Sequence, residues 1–162
     1  MSDTTPEQPD SVTRLQAAYG GPSESGFGSA VFYETCPGED LTRAALARYR
    51  AFVGPLWERY GEAAWMGPWR AVYVREPGAN PAIETELRGI ADGDARLSVP
   101  LILDEIEGAE AARAALSAAF DDPAVTELRV FNLGDGAALA GLLVAGRCGA
   151  GGAAVHLVFL MD

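Results

Sequence analysis

Two rhythms of apolar and polar positions run along the chain. Over residues 37–53, Leu41, Ala45, Tyr49, Phe52 and Val53 fall on one stripe at helical spacing. Glu39 and Asp40 stand at its start, where negative charge suits the helix dipole. Gly54-Pro55 interrupts this helix, because proline lacks the N–H that the next turn needs. Pro55 can itself open a second short helix, "PLWERYGEA". Residues 11–19 read as a short helix or arm, and the Ala-rich stretch 107–120 as a helix stopped by Asp121-Asp122-Pro123.

The second rhythm has period two. Residues 29–35 and 69–76 are rich in β-branched and aromatic residues and read as strands. "AIETELR" (82–88) and "ARLSVPLIL" (95–103) also alternate, so both are expected as strands, with "ADGD" (91–94) as the hairpin turn between them. Pro100 then marks an edge position or a bulge. Residues 124–133, 139–147 and 153–162 complete the strand set. In the last of these both alternating faces are apolar, with Val155, Leu157 and Phe159 on one side and Val158 and Leu160 on the other. A strand covered on both faces belongs in the interior of a sheet.

This succession predicts an α+β fold, a mostly antiparallel β-sheet with two or three packed α-helices. A split βαβ arrangement is the main competitor. Residues 1–10, polar and acidic with Pro6 and Pro9, read as a disordered tail, and residues 11–162 as a single domain.

Composition narrows the chemistry. With 49% apolar and 22% charged residues the chain is ordinary for a soluble globular protein. No apolar run is long enough to span a bilayer, and the first residues carry no secretory segment, so a cytoplasmic location is expected and a membrane partner is not. The net charge of −11 disfavours nucleic-acid backbones and suits either plain solubility or a cationic partner. That charge is uneven. Residues 41–75 carry six Arg against two Glu, inside an otherwise acidic chain. Such a basic middle could pair with the acidic part of a second copy in a homodimer. All twelve basic residues are Arg, which excludes a lysine Schiff base, a P-loop lysine and a lysine general base.

Candidate motifs mostly dissolve under their own requirements. "GAGGAA" (149–154) has the spacing G-x-G-x-x-A, but a dinucleotide site needs a helix after it, and "VHLVFLM" follows. The glycines of 134–152 therefore read as turns between strands, and no cofactor is expected. Cys36 and Cys148 read as reduced residues and not as a zinc or disulfide framework. His156 is the sole histidine, so any Cys-His or Ser-His-Asp arrangement must use it. Cys148 lies eight residues before it, across a hairpin. Acids cluster at Asp92/Asp94, at Asp104 to Glu110 and at Asp121/Asp122, where turns and helix starts favour them anyway.

The remaining signal is a mixture of arginines and aromatics, comprising Arg43, Arg48, Arg50, Trp57, Arg59, Tyr60, Trp65, Trp69 and Arg70. Such mixtures build interface hot spots, and also ordinary cores. The expectation is a small acidic protein-interaction module without catalysis, of the inhibitor, immunity or adaptor kind, that uses these residues. The alternatives are a metal-assisted hydrolase using the clustered acids, and a ligand sensor using the tryptophans.

Overall fold

The computed structural model describes residues 8–21, 28–35, 40–60, 71–76, 78–134, 139–148 and 153–161, apart from the side chains of Leu56 and Tyr60. The elements in chain order are α1 (Asp10–Tyr19), β1 (Gly28–Thr35), α2 (Leu41–Val53), α3 (Leu56–Tyr60), β2 (Ala71–Val74), α4 (Ile83–Arg88), α5 (Gly93–Leu103), α6 (Ala109–Phe120), β3 (Val125–Leu133), β4 (Ala140–Cys148) and β5 (Ala153–Met161). The strands form one five-stranded sheet in the order β1-β5-β4-β3-β2, antiparallel throughout. The fold is α+β, as the mixture of periods implied.

Two stretches expected as strands are helices. Residues 82–88 hold α4, and 95–103 lie within α5. The reason is in the spacing of the residues that become buried. Ile83 and Leu87 stand four apart. Ala95, Ser98, Val99, Ile102 and Leu103 follow the i, i+3, i+4, i+7, i+8 stripe of a helix. "ADGD" is not a hairpin turn. Asp92 is the N-cap of α5, and its carboxylate accepts from the backbone N–H groups of Asp94 and Ala95. Pro100 sits inside that helix instead of at a sheet edge, and its carbonyl accepts from Asp104 N and Glu105 N as the helix closes.

The sheet is buried on both faces. Helices α1, α4, α5 and α6 cover one side, where Leu128, Val130, Leu142, Val144, Val155 and Leu157 meet Leu15, Ile83, Leu87, Ile102, Leu116 and Phe120. Helices α2 and α3 cover the other, where Phe131, Leu133, Leu143, Val158 and Leu160 meet Leu41, Tyr49, Phe52 and Trp57. Double coverage explains why β4 and β5 read as nearly continuous apolar runs. β5 lies between β1 and β4, in the interior as expected. Each large side chain fully buried here stabilises the fold by roughly 1.5–3 kcal/mol.

Both sheet edges are tied to helices. On β1, Val31 N donates to Gly20 O just past α1, and Gln16 Nε2 reaches Val31 O. On β2, Tyr73 and Arg75 both reach the Glu86 carboxylate of α4. Arg75 also donates to Phe120 O and Asp121 Oδ1 at the end of α6. No helix among the described residues is long and apolar enough to cross a membrane.

Candidate functional site

Register decides what shares a face. On the side facing α2, Phe32, His156, Ala145 and Arg129 stand side by side across β1, β5, β4 and β3. The next row toward the same sheet end reads Glu34, Ala154, Arg147 and Glu127. Beyond Phe32 and His156 in the other direction the same face is apolar, with Ala30, Val158, Leu143 and Phe131. One end of this face is thus a polar belt set against a dry core.

Helix α2 lies over the belt and bonds to it in its first turn and near its middle. Arg129 Nη1 donates to Thr42 Oγ1 at 2.8 Å, in the first turn of α2. Two turns on, Arg48 Nη2 donates to Glu34 Oε2 at 2.8 Å. Its guanidinium carbon stacks 4.7 Å from the centre of the Phe32 ring. Glu127 joins Arg129 to Arg147. Thr42, Ala45 and Arg48 recur at helical spacing, so a single face of α2 meets polar, small and polar positions in turn.

His156 lies beneath this cover with no exposure. Its Nε2 is 3.4 Å from Glu34 Oε1, too poorly aligned for a hydrogen bond, and among the described residues Nδ1 has no hydrogen-bond partner. Arg48 Nε is likewise buried without one. The contact with His156, joined by the Arg48 charge, holds the Glu34 carboxyl below the usual glutamate range, although burial pushes it up. A carboxylate, a guanidinium and an imidazole here share one half-buried spot, with polar capacity left over on two of them.

The expected arginines divide by helix face. Arg48 points inward to the belt, whereas Arg43 and Arg50 are exposed on the outer side of α2 with Ala47 between them. Neither Arg43 nor Arg50 forms an ion pair among the described residues, and Arg50 stacks 5.6 Å from the Trp57 ring. Trp57 is a core residue, 4% exposed and packed edge-on against Tyr49 at 5.5 Å. Arg59 is exposed on α3. The Tyr60 side chain and all of Trp65, Trp69 and Arg70 lie outside the described residues, as do Cys36 and the loop 149–152.

Cys148 and His156 do not form a pair. His156 is opposite Ala145, three residues from Cys148, so the two side chains leave opposite faces of the sheet. The segment that follows the glycines of 149–152 is β5, so no helix N-terminus stands there to receive a pyrophosphate. Four of the clustered acids have structural partners. Asp92 caps α5, Asp104 pairs with Arg88, Asp121 accepts from Ile83 N, and Asp122 accepts from Ala124 N. Among the described residues no three His, Cys, Asp or Glu side chains converge on a metal position.

The sequence marked Arg48 and His156, but not their common partner. Glu34 stood unremarked at the end of a strand, because only strand pairing across more than a hundred residues brings it to His156. Comparison of the chain with protein-family models, curated proteins and solved structures finds no match.

Proposed function

We propose that the chain is a non-catalytic protein-interaction module that meets its partner through the outer face of α2, and that the partner presents an acidic segment there. The observation that carries this reading is the pair Arg43 and Arg50, exposed seven positions apart on one helix face and without ion pairs among the described residues, in a chain whose net charge is −11. A charge kept unpaired amid so many acids is available to a partner. Ala47 between them leaves room for a close approach. Arg50 is pre-positioned by Trp57, which lowers the ordering cost of binding.

A cationic partner is the second reading. Glu105, Glu107 and Glu110 are exposed around the start of α6, on the opposite layer of the molecule. With the basic and acidic patches on opposite layers, two copies related by a two-fold axis cannot satisfy both contacts at once. Contacts of that kind are head-to-tail. A second copy is therefore not the partner proposed.

Charge reversal separates the readings. Proteins retained by the immobilised chain at low salt should be lost from Arg43→Glu/Arg50→Glu and still held by Glu105→Arg/Glu107→Arg. Retention should also fall steeply as salt rises. Retention that survives the arginine reversal and fails with the glutamate reversal would establish the second reading instead. Retention indifferent to both would remove α2 and the acidic junction alike.

A further inference from the structure

Helix α2, the proposed contact surface, is held down over a fully buried histidine whose two ring nitrogens have no hydrogen-bond partner among the described residues. As neutral imidazole, His156 already leaves one N–H donor and one acceptor nitrogen without a hydrogen bond, but it buries no charge. As imidazolium it has two N–H donors. Nε2 faces Glu34 at 3.4 Å, but nothing among the described residues accepts from Nδ1 in its fully buried position. A charged donor buried without an acceptor is strongly disfavoured.

The surrounding charges act in both directions. Glu34 from β1 is the nearest anion, and its other oxygen is already held by Arg48 of α2 at 2.8 Å. From β4, Arg147 adds positive charge in the adjoining row, next to Ala154. From β3, Glu127 is shared between Arg129 and Arg147. Tyr49 of α2 belongs to the apolar core on this face. On β5 itself His156 is flanked on this face by Ala154 and Val158. A proton on His156 would set a second cation beside the carboxylate to which Arg48 of α2 is tied.

We propose that His156 is an acid-sensitive latch: its protonation loosens the Arg48–Glu34 tie and frees α2 from the sheet. Imidazole is the side chain suited to this, since its ordinary titration spans the physiological range. Protonation favours whichever state lets the ring reach water, and lifting Arg48 and its stretch of α2 is the movement that uncovers it. The proposal rests on the reading of α2 as the contact surface only for its biological use. The opening itself is a property of the chain alone.

Amide hydrogen exchange on the full chain tests it, with rates corrected for their intrinsic pH dependence. Between about pH 7.5 and about pH 5.5, exchange in α2 should accelerate roughly tenfold or more while β4 stays protected. His156→Asn should abolish the acid effect. Should that variant fail to fold, the imidazole C2 proton of the unaltered chain serves in its place, and must titrate over the same pH range in which α2 opens. An α2 that stays closed in acid, an equal acid effect in folded His156→Asn, or an imidazole that does not titrate with the opening would each overturn the latch. Loss of partner retention in Arg43→Glu/Arg50→Glu at neutral pH bears on the contact surface alone. The latch can therefore fail while that reading stands, and the reverse.

Discussion

Glu34 binds Arg48 with one oxygen and touches His156 with the other, and its acidity records both. Because its folded-state pKa lies below the ordinary value, the ionised form adds stability above the unfolded pKa. That increment is lost as pH falls through the folded one. Glu34→Gln should therefore lower stability by about 0.5–1.5 kcal/mol near neutrality, with the deficit closing toward about pH 3, as read by urea unfolding at both pH values. A deficit of equal size at both would assign the loss to shape and not to charge. Gly141 marks a different residue-scale constraint. A methyl built there runs into the backbone carbonyl of Phe159 on the neighbouring strand. Gly141→Ala should cost upwards of about 2 kcal/mol, since strands β4 and β5 must separate to admit it, and thermal melting reads this directly. Neither constraint shows in the sequence around it. A lone glycine in an apolar run looks like any other, and Glu34 looks like a strand-end acid, until pairing supplies the neighbour.

At the scale of elements, legibility followed how much a pattern depends on its surroundings. The strands β3, β4 and β5 and the helices α2 and α6 were plain, because long runs of one period leave little choice. The stretch 82–103 was misjudged because short segments such as "AIETELR" satisfy both periods, and Asp-Gly serves a hairpin turn or a helix cap equally well. What resolved it was burial. Ile83 and Leu87 share one side only when wound helically. Asp92→Ala should accordingly destabilise by about 1 kcal/mol through loss of the cap on α5, measured by chemical denaturation, with Asp92→Asn retaining most of the stability. The polar belt was invisible for a related reason. Its members come from β1, α2, β3, β4 and β5, and a shift of any strand by one residue would send its side chains to the opposite layer.

For the whole molecule, the two layers of helices divide the labour. One layer, α1 with α4 to α6, stabilises the sheet through an apolar core and ties down both of its edges. The other, α2 with α3, combines a dry core with the charged belt and carries the exposed Arg43, Arg50 and Arg59. The overall acidity was readable from composition, but its division between layers was not, since that follows from which helix packs on which face. The place of β5 has a consequence for biosynthesis. Among the described residues β1 pairs only with β5, so the first of the five strands to be made waits on the last. A ribosome-bound chain ending before Ala153 should remain protease-sensitive through β1, and protection should arrive in one step once β5 clears the exit tunnel. Until then the nascent polypeptide has exposed greasy strand edges, and the cell's chaperones are what stand between it and its neighbours.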